Sequence, residues 1–218
     1  MPHMIPRSPS GRLSRRSLMI GTALGVAAIP DLSAASETGE LTVTEALRRR
    51  RSTRSFSDRP VDPALLAELL WAAFGINRPA VGLHTAPSWH GAAETVIHVA
   101  SADGVARYDP ANDSMTLRHA ADIRGILSPQ PFVATAPLCL VHIADLRRLT
   151  AAEDPAERLH HARVDAAIVA QNVYLFAAAR GLGTCLVGGF DEPAIAAALD
   201  LPDHERTTFV QPVGWPAA

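Results

Sequence analysis

Gly181-Leu182-Gly183-Thr184-Cys185-Leu186-Val187-Gly188-Gly189-Phe190-Asp191 is the stretch whose context decides the fold. Its glycine spacing has the look of a dinucleotide-binding loop, but such a loop leaves a β-strand and opens a helix. The residues before this one, about Ala156 to Arg180, read instead as a long helix. Ala162, Ala166, Val169, Val173 and Phe176 fall on one apolar stripe, and Gly181 supplies the stop. A Rossmann reading therefore fails. What the segment offers is bare backbone: at Gly188 and Gly189 no side chain keeps N–H groups from a flat ligand.

The opposite side of the helix, with Ile168, Leu175 and Ala179, is apolar too. That predicts a central helix, buried in the domain or in a subunit interface. Downstream, Asp191 with Pro193 in the first turn predicts a short helix, and Thr207 to Val213 a strand. Upstream, the capping box Thr42-Val43-Thr44-Glu45 starts a first helix. Asp62-Pro63 opens a second, with Leu65, Leu66, Leu69, Leu70 and Ala73 at helical spacing and Gly75 at its end. Strands are predicted over Thr95 to Ala100, Gly104 to Tyr108 and Leu138 to Ile143, the last apolar enough for a central position. Two helices, strands, a long helix, a helix and a strand predict α+β architecture with a mixed or antiparallel sheet.

The 218 residues are 48% hydrophobic and 19% charged, a globular composition with few aromatics, so Ala, Leu, Val and Ile should fill the core. All 20 basic residues are Arg. Chemistry that needs a primary amine, such as a pyridoxal Schiff base or a Gly-Lys-Ser/Thr phosphate loop, is excluded, and anion binding falls to Arg and backbone N–H groups. A formal charge of −2 gives no general attraction to nucleic acid, which is not an expected partner. Cys139 and Cys185 stand in no zinc spacing; one disulfide is conceivable, and two buried thiols are the favoured reading.

Residues 1–35 read as an address. Arg15-Arg16 precede the apolar run Ile20 to Pro30, and Ser33-Ala34-Ala35 is a small-x-small cleavage pattern. The run is too short to span a membrane. Export by the twin-arginine route to the periplasm is expected, with an uncleaved anchor as the lesser outcome, and residues 36–218 then form one domain. Because that route carries folded proteins, it also favours a bound cofactor.

Two further segments carry chemistry. Arg50-Arg51-Ser52-Thr53-Arg54 sets three guanidinium groups around hydroxyls, suited to gripping a phosphate, or else to a solvated helix end that complements the helix dipole. Thr85-Ala86-Pro87-Ser88, after Gly75-Ile76-Asn77-Arg78-Pro79, is a turn that presents donors to a ligand or lies plainly on the surface. His160 and His161 project about 100° apart on the long helix and do not ligate a metal from one face; no metal site is expected. His84 and His90 flank the Pro-Ser turn as proton donors or as ordinary loop packing.

In order and spacing these segments resemble the FMN-dependent nitroreductase superfamily, specifically its short members, from about Val43 to the closing Val213-Gly214-Trp215-Pro216; Gln171-Asn172 adds to the likeness. The resemblance implies an α+β fold, a mixed and mainly antiparallel sheet flanked by helices, and an interlocked homodimer with FMN in its interface. It implies that Arg50, Arg51 and Ser52 hold the FMN phosphate and ribityl end, that Arg54 faces the pyrimidine edge, that Pro87 and Ser88 come from the partner subunit, and that the N–H of Gly188 or Gly189 donates to flavin N5. This chain departs from many relatives at Gly91, where they carry Asn, and at its end, Ala218, where no basic residue follows the last strand.

The expected activity is transfer of hydride or two electrons through flavin N5 to a nitro, quinone or similar electron-poor small-molecule acceptor. The usual donor is NAD(P)H; because export separates the enzyme from the cytoplasmic pool, a membrane or protein partner is the other expected donor. The alternatives are a flavin dehydrogenase, since Gly75 to Pro79 and Thr85 to Ser88 look like the azoline-oxidising branch, and a non-catalytic flavin-binding dimer.

Overall fold

The computed structural model describes residues 41–217; the export segment lies outside them. Helix α1 (Val43–Arg49) starts where expected, with the Thr42 hydroxyl accepting the Glu45 N–H at 3.2 Å. Helix α2 (Pro63–Phe74) is capped by Asp62 and ends at Gly75. A small hairpin follows, β1 (Ile76–Arg78) and β2 (Leu83–His84), then β3 (Thr95–Ser101), β4 (Gly104–Asp109) and β5 (Ser114–His119). Two short helices, α3 (Arg124–Leu127) and α4 (Pro131–Thr135), lead to β6 (Leu138–Asp145). The long helix α5 (Pro155–Arg180) stops at Gly181 in a left-handed conformation, φ 74°, and β7 (Gly183–Thr184), α6 (Glu192–Leu199) and β8 (Glu205–Gly214) complete the chain.

The main sheet has the order β5-β4-β3-β6-β8-β7, every neighbouring pair antiparallel. A parallel bridge between Ser52 and Thr184 adds the mixed character at one edge. Strand β6 is central, as its apolar sequence requires, and seven of its eight residues are buried. One sheet face packs on α2 and α5 through Leu69, Leu70, Ala73, Val169, Val173 and Ala177; the other packs on α3, α4 and α6 through Leu127, Val133 and Ile195.

Helix α5 is tied to the sheet by a polar link within this apolar layer. The buried Gln211 on β8 donates to the Ala170 carbonyl at 3.2 Å, and its Oε1 lies 3.0 Å from His142 Nε2 on β6. Burial presses the His142 pKa down to about 4, so the imidazole is neutral at physiological pH and no charge is stranded in the core. Cys139 and Cys185 are both buried free thiols, and burial pushes the Cys139 thiol far up, which makes it inert.

Among the described residues, the outer face of α5 is left partly uncovered. Val164 and Ile168 are 46% and 37% exposed, and Val43 and Leu47 on the adjoining α1 are 69% and 52% exposed. Of the two burials predicted for this helix, the domain supplies only one face. The elements that sequence periodicity did not predict are short or lack a buried face: α3 and α4 have four and five residues, and β5 is exposed along nearly its whole length.

Candidate active site

Arg50 to Ser57 leave α1 as an extended segment docked into the end of the sheet. Thr53 N–H donates to the Thr184 carbonyl at 2.9 Å, Ser57 N–H to the Trp215 carbonyl at 2.9 Å, and Ala217 N–H to the Ser55 carbonyl at 3.1 Å. The glycine-rich segment and the closing strand thus grip the Arg-Ser segment from both sides. Close contact is part of the fit: a Cβ at Gly183 would lie 2.6 Å from Thr53 Cγ2.

Tyr174 joins the two motifs. Its hydroxyl accepts the Leu186 N–H at 2.8 Å and lies 3.1 Å from Ser52 Oγ, while the Arg50 guanidinium sits 5.3 Å from the centre of its ring. Arg50 and Ser52 are thereby tied to Leu186, two residues before Gly188. Past Val187, which pairs with Val210, Gly188 and Gly189 are exposed, and among the described residues neither N–H meets a protein acceptor. Neither glycine has a positive φ, and a Cβ there would meet nothing nearer than Phe209 at 3.9 Å or Gln130 at 3.5 Å. Nothing in the chain's own packing requires glycine at these two positions, so the bare backbone leaves room for a ligand. Ser128 fixes the far end by donating to the Gly189 carbonyl at 2.5 Å, and a cleft of about 710 Å³ opens beside Gly188, lined by Ser128, Arg163 and Phe190.

The other predicted residues are placed differently. Arg51 turns back on its own helix and donates to the carbonyls of Arg48, Arg49 and Arg50 at 3.1–3.3 Å, as a C-terminal cap. Arg54 is exposed, with no hydrogen-bond partner among the described residues. Pro87 and Ser88 are not brought to the Arg50 cluster within one chain. Their turn rests on α5 at Asp165, nine residues before Tyr174, or roughly 13 Å along the axis. His84 stacks on Phe74 at 4.0 Å with Nδ1 2.8 Å from the Phe74 carbonyl, the loop-packing alternative; His90 is exposed against the edge of Trp89. Among the described residues no cluster of His, Cys, Asp or Glu is arranged to hold a metal.

Sequence reading missed Tyr174, Thr53, Asp165 and Glu94. Tyr174 had one signal, a lone hydroxyl in the apolar run Val173 to Phe176. Tyr174→Phe leaves the Leu186 N–H and Ser52 without their partner. We expect it to cost about 1 kcal/mol of stability, because water reaches this half-buried site, and a melting curve should show a correspondingly lower midpoint.

Glu94, at the entrance to β3, is wholly buried, and both of its carboxyl oxygens lack a hydrogen-bond partner among the described residues. Burial first, and then Asp165, raise its pKa from 4.5 to about 7. The folded state binds this proton more tightly than the unfolded state, so stability falls as pH rises from about 4.5 through about 7. Glu94→Gln is expected to remove that slope, on the order of 3 kcal/mol across the range; denaturant unfolding at several pH values measures it.

The nitroreductase family matches residues 47–215. A Methanocaldococcus jannaschii protein classed as a nitroreductase is 31% identical over 186 residues, covering 80% of this chain and 91% of that protein. A crystal structure of a Ralstonia eutropha JMP134 protein, classed likewise, is 35% identical with a TM-score of 0.78 and covers 83% of this chain and 86% of that one. The E. coli microcin synthetase McbBCD complex shares the fold at 17% identity and a TM-score of 0.68, over 78% of this chain and 70% of its own. The family match and these relatives define a protein of the oxidoreductase class. The chain belongs to the nitroreductase family.

Proposed function

We propose that the protein is an FMN-dependent oxidoreductase that passes two electrons to a nitro, quinone or similarly electron-poor small molecule. The observation that carries this reading is the pair of N–H groups at Gly188 and Gly189, unpartnered among the described residues, two and three residues beyond Leu186, which Tyr174 ties to Ser52 and Arg50. When bound, the flavin supplies the hydride chemistry at N5. The protein binds and orients it. Arg50 and Ser52 hold the phosphate and ribityl end, Arg54 faces the pyrimidine edge, and a glycine N–H donates to N5. Arg54 is a cation without an internal partner and favours negative charge on the reduced ring. Arg51, already spent as a helix cap, contributes less.

Pro87 and Ser88 complete the site from the partner in a homodimer. The exposed apolar side chains Val43, Leu47, Val164 and Ile168 support that assembly. Export of the folded protein to the periplasm, by the signal read in residues 1–35, completes the proposal and leaves the donor as NAD(P)H or a membrane or protein partner. The same signal favours a second reading, a dehydrogenase that oxidises its substrate and discharges to such a partner.

The test is direct. The purified protein is expected to be yellow with flavin absorbance, and anaerobic additions of NADPH, NADH and then dithionite identify the reductants that bleach it. Bleaching by dithionite alone favours the second reading. Protein that is colourless and takes up no FMN on reconstitution overturns both.

A further inference from the structure

Two buried acids lie outside the flavin contacts just assigned. Asp165 interrupts the apolar stripe of α5 at 4% exposure, and its Oδ2 accepts the Trp89 N–H at 2.6 Å. Glu94 is 0% exposed, with no partner on either carboxyl oxygen among the described residues, and Asp165 is the acidic group that bears on it. Among the described residues the cation bearing on Glu94 is Arg148, on the turn after β6, and its side chain is exposed. Two carboxyl groups that water does not reach do not both ionise beside one another. Glu94, its pKa raised by burial first and then by Asp165, therefore holds its proton well above the usual carboxylate range.

Between Trp89 and Glu94 the backbone is strained. His90, Gly91 and Ala93 have φ values of 50°, 69° and 48°, and two of the three carry side chains that disfavour this region. Such a run persists only where its surroundings hold it. Here the holds are few and identifiable: Trp89 N–H on Asp165, Ala93 N–H on Ser88 Oγ at 2.8 Å, and the Trp89 ring stacked on His161 of α5 at 4.0 Å. At its exit the chain is fixed by Glu94, whose carbonyl accepts the Asp145 N–H at 3.0 Å. The strained run follows directly on Pro87-Ser88.

We propose that Asp165 and Glu94 are positioning residues: the Asp165 carboxylate clamps, through Trp89 N–H, the strained turn that presents Pro87 and Ser88 to the partner subunit's flavin, and an uncharged Glu94 at the turn's exit leaves that clamp undisturbed. The flavin end of this inference rests on the function proposed above; the clamp itself does not. Asp165 anchors the turn at Trp89, and the proton on Glu94 keeps a second negative charge from pushing the anchor away. When Glu94 ionises, Asp165 on α5 repels it, Arg148 offsets the charge only partly, and Trp89, held from its other side by His161, loses its fixed partner.

The experiment uses the flavin-loaded, full-length protein, with amide hydrogen exchange over residues 88–93 and the flavin spectrum and midpoint potential followed from pH 5.5 to 8.5. Asp165→Ala is expected to speed exchange in the turn by about tenfold or more and to shift the flavin signals. Asp165→Asn, which still offers an acceptor to Trp89 N–H, should bring exchange back to within about threefold of the parent. Glu94→Gln should abolish the loosening of the turn that the parent shows as pH passes through neutrality. Parent-like exchange and flavin signals in Asp165→Ala, or a parent turn unresponsive to pH after correction for intrinsic exchange, overturns the proposal. Ser88→Ala separates the two readings: if it leaves the flavin unmoved while Asp165→Ala still loosens the turn, the clamp stands and the flavin-facing role of the turn falls.

Discussion

Arg50→Ala is expected to weaken FMN binding by about 30- to 100-fold, the loss of roughly 2–3 kcal/mol of charge-assisted hydrogen bonding to a phosphate. The magnitude rests on the state of Arg50 in the fold. Its guanidinium is half-buried over the Tyr174 ring and enters no ion pair among the described residues, so it is preorganised and loses little freedom when an anion arrives. Arg50→Lys keeps the charge but loses the planar fork and much of the stacking, and should fall between the two. Arg51→Ala is the contrasting case. One of its nitrogens, Nη1, is turned back onto three helix-terminal carbonyls, which orients the guanidinium toward its own helix, so its removal should loosen the end of α1 and change FMN affinity by no more than about threefold. Titration of FMN fluorescence against apoprotein at fixed ionic strength measures all three. Equal losses for Arg50→Ala and Arg51→Ala would mean that the cap opens when the cofactor binds.

The contrast shows what a linear sequence reveals of such a site. Local rules located the elements well: Thr42 and Asp62 cap the helices they were expected to cap, Gly181 stops α5, and the apolar run of β6 lies at the centre of the sheet. These features depend on residues within one turn of each other. The strand β5 escaped because its alternation is brief, with only Met115 and Leu117 apolar among Ser114 to His119, and both remain exposed. Among the candidate site residues, motif spacing singled out Ser52, Gly188 and Gly189 as candidates, but not the tyrosine 122 residues from Ser52 that ties it to Leu186. Nor did the cluster Arg50-Arg51-Ser52-Thr53-Arg54 reveal that neighbouring arginines have separate tasks. Whether a guanidinium caps a helix or stays free depends on the backbone direction after Arg50, which is fixed by contacts to Thr184 and Trp215 at the far end of the chain. Asp165 and Glu94 were hidden for a related reason: each looks like an ordinary charge in sequence, and only their burial together makes them costly.

The docking of that segment makes Gly183 the most sensitive glycine of the site. A Cβ there would lie 2.6 Å from Thr53 Cγ2 and 2.7 Å from both Cβ and Oγ1 of the same residue. Rotating the Thr53 side chain does not relieve this contact, because Thr53 Cβ itself is too close. The backbone of Thr53 is in turn held by its hydrogen bond to Thr184, the residue after Gly183, so the clash and the tether pull against each other. Gly183 has no positive φ, and the penalty is one of space alone. Gly183→Val is therefore expected to push the Arg50 to Arg54 segment off the sheet edge, destabilise the protein by about 2–3 kcal/mol and lower its melting midpoint by roughly 4–10 °C. FMN affinity should fall by more than about a hundredfold, because Arg50 and Ser52 move together. Gly188→Ala isolates the other half of the argument: its Cβ meets only Phe209 at 3.9 Å in the chain itself, so the apoprotein should melt within about 1 °C of the parent while FMN binds more weakly. Combining Gly183→Ala with Thr53→Gly removes the steric partner and should recover much of the lost binding. If it does not, Thr53 is more than a spacer between the two halves of the site.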